Sequence, residues 1–373
     1  MDLHSLNTPA LILDRSIVTR NTERMSKRMR AHGVALRPHL KTAKSARVAK
    51  LATAGHSGAI TVSTLAEAAY FLDHGFDDIT YAVGIVAGKL PQAAALIARG
   101  ADLKILTDNV DTAKAIAASD HGIRFKVLIE VDCGDARTGL LADSPELIEI
   151  GRILNESEHA ELLGVLTHGG HSYLADGVDG IKRTAKEERD AVLLAASRLR
   201  EAGLPCPVVS AGSTPTAVHG ESYEGITEMR PGVFVFFDLD QLARNACARE
   251  DLALSVLATV IGHNKHIGQI VIDAGALALS KDISANAHWP QVGYGSLCDA
   301  ETMAPLEDLH VAKVSQEHGV IPVTDAAAYD RLPIGSKVRV LPNHACITAA
   351  GYSCYHVVEG TQIVDEWDRV NGW

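Results

Sequence analysis

FKVLIEVDCGDARTG, residues 125–139, is an apolar strand candidate that ends in a turn with two carboxylates and an arginine. The same order of short buried strand, polar turn and amphipathic helix recurs from about residue 16 to 235. Seven further strand candidates share this pattern. One ends near Arg37, and the others span 58–63, 78–83, 103–108, 162–170, 207–214 and 226–232. Strands spaced in this way and followed by helices predict a parallel (β/α)8 barrel. A doubly wound open sheet is the alternative, but it favours a glycine-rich first turn that this sequence lacks.

The sequence after about residue 250 has a different character. Its apolar runs are β-rich and joined by turns with little helix, as in LALSVLATVIGH, GQIVIDAGALALS and KVRVLPNHACIT. This pattern predicts a second, mostly antiparallel β-domain. We therefore expect an α/β protein with a barrel over residues 15–245 and a β-domain over residues 246–373, to which the strand-like segment 8–14 is added.

Composition argues against several classes of function. The 373 residues are 47% apolar and include 46 acidic against 35 basic residues, a net charge of −11 that disfavours nucleic acid as a partner. No stretch approaches the ~20 apolar residues that span a bilayer, and the first residues lack the basic-then-apolar order of a secretory signal. The six cysteines are widely scattered, which favours free or metal-bound thiols. We expect a cytoplasmic protein without a membrane or nucleic-acid partner.

Polar residues at the ends of the predicted strands are the candidates for chemistry. Lys41, in LRPHLKTAKS at 36–45, follows the first strand, where barrel enzymes hold their active sites. Partial enclosure makes such an amine a usable nucleophile; an ordinary solvated lysine is the alternative. THGGHSY, residues 167–173, offers rings for a flat ligand, and SAGSTPT, residues 210–216, offers N–H groups and hydroxyls for a phosphate. Each signal is weak alone, and VDCGDARTG, residues 131–139, is equally typical of a capped turn with a surface ion pair.

LPNHACIT, residues 341–348, contains the candidate metal ligands. On a strand, His344 and Cys346 lie two positions apart and point to the same side. Imidazole and thiolate suit zinc, and two protein ligands leave coordination positions open for water or substrate. A buried cysteine beside an edge histidine is the alternative.

Taken together, these motifs resemble those of the fold-type III pyridoxal-phosphate enzymes, the alanine-racemase-like class. Within that class the chain is most similar to the family of metal-activated D-serine dehydratase, D-threo-3-hydroxyaspartate dehydratase and D-threonine aldolase. The matching segments run in order along nearly the whole chain: TPALILD, LRPHLKTAKS, VSTLAEA, GFDDITYA, EVDCG, GSTPT, VFFD, VIGH, QEHG, PNHAC and VNGW. The resemblance implies a barrel that binds pyridoxal phosphate, a β-domain with a metal site, and a homodimer.

The resemblance also implies roles for individual residues. Lys41 carries the Schiff base to the cofactor, and His344 and Cys346 bind the metal, which is zinc or another divalent ion such as manganese. Gln316 and His318 in SQEHG are expected substrate contacts, with an exposed turn as the alternative. Among the other expected cofactor contacts, Arg137 lies near the phenolic oxygen, His168 packs over the pyridine ring and Tyr173 lines the substrate side. The expected phosphate ligands are Gly212, Ser213, Thr214 and Gly232.

Two positions depart from the family pattern or leave it open. The family often reads KTHK where this chain has KTAK, so any role of that histidine is missing at Ala43. Racemases hold the pyridine nitrogen with an arginine, and Arg230 in EMRPG is a candidate for it, but its register in the dehydratase branch is open. The group at the pyridine nitrogen is therefore left unassigned.

The expected activity is a lyase reaction on a 3-hydroxy-D-amino acid. Lys41 takes the proton from Cα, the cofactor accepts the electron pair, and the metal activates the β-hydroxyl as a leaving group. Elimination gives a keto acid and ammonia from D-serine, D-threonine or D-threo-3-hydroxyaspartate. Aldolases of the family tend to have a carboxylate as second metal ligand, so Cys346 favours the dehydratase over retro-aldol cleavage to glycine and an aldehyde. A non-catalytic cofactor carrier and a racemase are the remaining alternatives.

Overall fold

The computed structural model describes residues 2–373. Its strands are β1 Ala10–Asp14, β2 Ala35–Leu36, β3 Ile60–Val62, β4 Asp78–Gly84, β5 Asp102–Thr107, β6 Phe125–Asp132, β7 Leu140–Leu141, β8 Ala160–Thr167, β9 Val208–Ala211, β10 Glu228–Met229, β11 Leu254–Asn264, β12 Gln269–Ile272, β13 Ser296–Asp299, β14 Pro305–His310, β15 Lys313–Val314, β16 Gly319–Pro322, β17 Lys337–Leu341, β18 Cys354–Glu359 and β19 Gln362–Asp368.

The helices of the same residues alternate with the strands in the first part of the chain and are short in the last. They are α1 Arg15–Ala31, α2 Ala46–Ala52, α3 Leu65–Asp73, α4 Leu90–Ala98, α5 Val110–Ala117, α6 Glu146–Glu156, α7 Gly177–Glu201, α8 Thr214–His219, α9 Leu239–Ala243, α10 Ala276–Leu279, α11 Ala327–Arg331 and α12 Ala345–Ala349. Within residues 2–373, none of these helices combines the length and the apolar character needed to cross a bilayer.

A ring of parallel strands forms the first sheet. The hydrogen-bonded order is β2-β10-β9-β8-β6-β5-β4-β3, with the short β7 beside β6. The ring closes where the segment after β2 meets β3: His39 pairs with Thr61 in parallel, and the Leu40 N–H donates to the Thr61 carbonyl at 2.8 Å. The predicted (β/α)8 barrel is confirmed.

The barrel helices follow from sequence patterns that bury one face. In α3 the apolar residues Leu65, Ala68 and Phe71 recur every third position and are buried. Thr64 caps this helix, because its hydroxyl accepts the Glu67 N–H at 2.9 Å. The capped start fixes the loop between β3 and α3, which lies at the carboxyl end of the strand.

The second sheet is mixed but mostly antiparallel. Its main path is β14-β13-β17-β11-β1-β18-β19, and β12, β16 and β15 extend from β11. The N-terminal strand β1 lies between β11, to which it is antiparallel, and β18, to which it is parallel. The other pairings of this sheet are antiparallel. The predicted mostly antiparallel β-domain is thereby confirmed.

The described chain divides into two compact units. The β unit comprises the residues up to Thr22 together with Thr42–Val48 and Val233–Asn371. The barrel unit comprises Glu23–Lys41, Ala49–Gly232 and Gly372–Trp373. The domain limits expected from sequence, with the boundary between residues 245 and 246, stay a prediction.

Candidate active site

The barrel unit contains a cavity of about 330 Å³ at the carboxyl ends of its strands. Barrel enzymes place their catalytic groups at this end. The lining combines basic, acidic and imidazole side chains with small and apolar ones: His39, Lys41, Ser63, Ala82, Val83, Gly84, Glu130, Arg137, Thr138, Leu166, His168, Gly212 and Arg230.

The cavity brings together half of the residues that the sequence assigned to the cofactor. Its lining includes Lys41, Arg137, His168 and Gly212. The other four are not part of the lining, namely Tyr173, Ser213, Thr214 and Gly232. The roles of all eight residues stay predictions.

The backbone between β2 and Lys41 is held by hydrogen bonds to the chain segments on either side of it. The His39 N–H donates to the Pro231 carbonyl at 2.9 Å. The Leu40 N–H donates to the Thr61 carbonyl at 2.8 Å. The Lys41 N–H in turn donates to Nδ1 of His39 at 3.4 Å. Lys41 is exposed and lines the cavity, so its amine is accessible to a ligand there.

The His168 ring is held neutral in this cavity. Burial and the positive charges of Lys41, Arg230 and Arg137 lower its pKa to about 3. Its Nδ1 lies 3.2 Å from the Gly212 carbonyl, so Nδ1–H donates and Nε2 carries no proton. A neutral ring in a fixed orientation is suited to packing over a flat cofactor.

A buried guanidinium and a buried carboxyl also line the cavity. Arg230 donates from Nη1 to Ser210 Oγ and from Nη2 to the Thr167 carbonyl, each at 2.5 Å. Burial raises the pKa of Glu130, to which the Thr138 hydroxyl donates at 2.9 Å. The sequence left Arg230 without a role, and Glu130 was missed because nothing in LIEVD distinguishes an inward-facing carboxylate from a solvated one.

The loops after β8 and β9 are joined by one buried carboxylate. Glu188 Oε1 accepts the Gly169 N–H at 2.6 Å and the Gly212 N–H at 2.9 Å. Burial raises the pKa of Glu188. Gly212 has φ +117°, and a Cβ there would lie 2.9 Å from the backbone nitrogen of Arg230, so the position requires glycine. Glu188 was missed because it resembles any polar residue of the long helix α7.

The expected phosphate ligands are partly engaged with one another. Ser213 caps α8 by accepting the Thr216 N–H at 3.2 Å, and the Thr216 hydroxyl accepts the Ser213 N–H at 2.9 Å. The Gly232 N–H donates to Thr214 Oγ1 at 3.3 Å. These residues therefore form one connected loop region, whereas Tyr173 is half-buried on the 3-10 turn after β8.

The expected metal ligands lie in the β unit but not on a strand. β17 ends at Leu341, His344 is the extended N-cap residue of α12, and Cys346 lies within that helix. The expectation that alternation along a strand pairs their side chains is therefore wrong. The two side chains are nevertheless joined by a hydrogen bond, because the turn into α12 brings them together.

Neighbouring groups orient both members of the pair. His344 Nδ1 lies 2.7 Å from Asp282 Oδ2 and donates to it, which leaves Nε2 for Cys346. The hydroxyl of Thr42 lies 3.1 Å from Cys346 Sγ. Thr42 directly follows Lys41 in the chain.

The charges of this pair fit a bound cation. Burial lowers the pKa of His344, but the Cys346 thiolate and Asp282 outweigh burial and raise it to about 11. Burial raises the pKa of Cys346, but the His344 charge outweighs this, so the net shift is downward. The hydrogen bond from His344 lowers the pKa of Asp282 to about 2. A divalent metal would replace the proton shared by imidazole and thiolate, which are ligands that zinc prefers.

Gln316 and His318, the expected substrate contacts, lie on the exposed turn between β15 and β16. The Ser315 N–H donates to the His318 carbonyl at 2.8 Å, which closes the turn. Gln316 Nε2 donates to Glu317 at 3.3 Å. Their contact with substrate stays a prediction.

Comparison with known families gives two matches, one after the other along the chain. Residues 13–240 match the N-terminal domain of alanine racemase. Residues 253–358 match a serine dehydratase domain. The fold and the cavity thus define a member of the alanine-racemase-like, fold-type III class.

Relatives narrow the class to one family. The D-threo-3-hydroxyaspartate dehydratase of Delftia sp. (strain HT23) is 45% identical, over 100% of this chain and 99% of its own length. The D-serine dehydratase of Dictyostelium discoideum is 31% identical, over 100% of this chain and 98% of its own length. A D-threonine aldolase of Arthrobacter sp is 27% identical, over 98% and 93%. The chain belongs to the family of D-threo-3-hydroxyaspartate and D-serine dehydratases.

Two solved variants of D-threo-3-hydroxyaspartate dehydratase share the whole fold. A histidine-to-alanine variant is 44% identical with a TM-score of 0.97, covering 100% of this chain and 97% of that chain. A cysteine-to-alanine variant in the metal-free form is 44% identical with a TM-score of 0.96, covering 100% of both chains. The two substituted residues lie two positions apart, as His344 and Cys346 do in this chain.

Proposed function

We propose that this protein is a pyridoxal-phosphate- and metal-dependent ammonia-lyase that eliminates the hydroxyl of a 3-hydroxy-D-amino acid. The observation that supports this most is the His344–Cys346 pair, whose thiol contacts Thr42, the residue bonded to Lys41. D-threo-3-hydroxyaspartate is the first candidate substrate, because the relative named for it is similar over the full length. D-serine and D-threonine are the other candidates.

The cavity residues fit pyridoxal phosphate. The Lys41 amine offers a covalent anchor and the neutral His168 ring a stacking surface, and Gly212 also lines the cavity. The nearby guanidinium groups of Arg137 and Arg230 are suited to an anionic ligand. When bound, pyridoxal phosphate supplies an electron sink for the pair left at the substrate Cα.

The pair in the β unit fits a divalent metal, and the ligand chemistry favours zinc. His344 and Cys346 would hold the ion, while Asp282 would fix the orientation and tautomer of His344. When bound, the metal supplies a Lewis acid for the substrate's β-hydroxyl, which is a poor leaving group by itself.

Lys41 would act as the base of the elimination. Its amine takes the proton from Cα, and a base on one side of the substrate restricts the reaction to one enantiomer. Loss of this proton and of the β-hydroxyl amounts to loss of water and leaves an enamine. One water molecule then converts the enamine to a keto acid and ammonia.

The assembly and location that we propose are a homodimer in the cytoplasm. The homodimer rests on the family resemblance. The cytoplasmic location rests on the six cysteines, all within residues 2–373, which form no disulfide.

Product analysis tests the proposal. Purified protein is incubated with D-threo-3-hydroxyaspartate, D-serine and D-threonine, with and without a chelator, and keto acid, ammonia, glycine and aldehyde are measured. Keto acid and ammonia that disappear on chelation and return with zinc support the dehydratase. Glycine and an aldehyde would instead establish the aldolase, the activity for which the Arthrobacter relative is named.

Matched variants separate the metal from the cofactor. Cys346→Ala is expected to lose bound metal and turnover while it keeps the absorbance of bound pyridoxal phosphate. Cys247→Ser, a partly exposed thiol in the same unit, serves as the control and is expected to keep metal, cofactor and turnover. Full turnover in metal-free protein would overturn the metal-dependent mechanism.

A further inference from the structure

The last two strands of the chain form a hairpin with two different faces. In β18, Tyr355 and Val357 are buried, whereas Cys354 and His356 alternate with them on the outer face. The register places Glu366 of β19 directly opposite His356, so its side chain lies on that face too. The outer face therefore presents a thiol, an imidazole and a carboxylate side by side.

These three side chains converge. Their ligand atoms, one sulfur, one ring nitrogen and one carboxylate oxygen, all lie within 4.8 Å of one another. His356 Nδ1 and Glu366 Oε2 are 3.4 Å apart. The His356 side chain is 23% exposed and that of Glu366 62%, so a cation could reach the group from solvent without rearrangement of the sheet.

We propose that Cys354, His356 and Glu366 bind a second divalent cation, of the zinc type, at a site separate from His344 and Cys346. Thiolate, imidazole and carboxylate are the ligand types that zinc takes, and three protein ligands leave one tetrahedral position for water. Magnesium and calcium require oxygen ligands and are disfavoured by the sulfur.

The electrostatics of the group favour a cation. A divalent cation compensates the carboxylate and stabilises the thiolate together. Asp368, directly opposite Cys354 in the register, adds a further carboxylate to the same face.

The position of the group indicates a structural role. β19 is the last strand on the path of its sheet and follows β18. A cation bound to Cys354 and His356 of one strand and Glu366 of the other would cross-link the edge strand to the sheet. No step of the proposed elimination uses these residues, so the site does not depend on that function.

Zinc counting tests this inference. Holoprotein is equilibrated with a small excess of zinc, passed through a desalting column, and analysed for bound zinc per chain by elemental analysis. Wild type is expected to retain two zinc ions and the Cys354→Ser/His356→Ala double variant one. The double variant is expected to keep its bound cofactor and its turnover, because it changes none of the residues proposed to bind the cofactor, the first metal or the substrate.

Two further variants make the outcome decisive. Cys346→Ala is expected to retain one zinc, and combining it with Cys354→Ser/His356→Ala is expected to leave none. Cobalt substitution in the Cys346→Ala protein is expected to give thiolate-to-cobalt absorbance that Cys354→Ser removes and Cys247→Ser leaves. A wild type with one zinc, or a double variant that still holds two, would overturn the second site. Absence of turnover in every protein would count against the proposed function alone.

Discussion

Replacing Asp282 by Asn tests how the metal ligand His344 is held. The carboxylate accepts His344 Nδ1–H at 2.7 Å, and the pKa of Asp282 falls from 3.8 to about 2. Each pKa unit corresponds to about 1.4 kcal/mol, so the surroundings of Asp282, among which the hydrogen bond from His344 is the largest contribution, together favour the charged carboxylate by about 2 kcal/mol. Only part of this stabilisation affects metal affinity, since the carboxylate stabilises both the bound metal and the proton that the metal displaces.

The metal carries the larger charge, so the net effect of Asp282→Asn is a loss of zinc affinity. We expect about a 10-fold loss, the lower end of the roughly 10–100-fold effect of such supporting partners. The assay is competition for zinc with a chromophoric chelator, together with turnover at saturating zinc, where most activity is expected to return. Asp325→Asn, an exposed carboxylate of the same unit, is the control. Unchanged zinc affinity in Asp282→Asn would refute the reasoning.

Three further predictions concern the barrel unit. Arg37→Met leaves Glu228, its partner at 2.7 Å, as a buried unpaired charge, and is expected to cost about 3–5 kcal/mol of unfolding free energy in denaturant titrations. Glu188→Ala leaves the Gly169 and Gly212 N–H groups without their acceptor, so it is expected to lower the unfolding free energy by about 1–3 kcal/mol and to weaken cofactor binding. Urea unfolding measures the first effect and cofactor titration the second. Because the pKa of His168 is lowered to about 3 in the folded protein, its contribution to the unfolding free energy falls as pH decreases from 6.5 towards about 3. Over this range the unfolded chain binds a proton at His168 and the folded chain does not. An NMR titration of the His168 ring near pH 6.5 in the folded protein would contradict this.

The barrel could be predicted because its signal is local. Each strand is a short apolar run followed by an amphipathic helix, as at 125–132, and right-handed parallel crossovers leave few other arrangements. Ring closure is not local, since His39 pairs with Thr61 while β2 also pairs with β10, nearly two hundred residues later. The sequence therefore predicted the individual strands, whereas closure of the ring was inferred only from their number, eight.

The candidate site was predicted unevenly for the same reason. Lys41, His344 and Cys346 came from short motifs that a single sequence displays. Asp282 lies 62 residues from His344 and has no motif of its own, so its contact becomes visible only in three dimensions. The metal pair was identified from a strand geometry that is wrong, because the two residues meet across the start of a helix. Residue type and spacing were sufficient to identify the pair, although its local structure was not predicted.

The segment before Lys41 is the seam of the barrel, with the His39 N–H bonded to Pro231 on one side and the Leu40 N–H bonded to Thr61 on the other. The two partners are separated by most of the barrel sequence, so during synthesis the seam cannot form until Pro231 has emerged. Lys41 therefore takes its place only when the ring is complete. Capture of pyridoxal phosphate by Lys41 would then mark the moment of barrel closure, and the absorbance of the bound cofactor would report on folding as well as on catalysis.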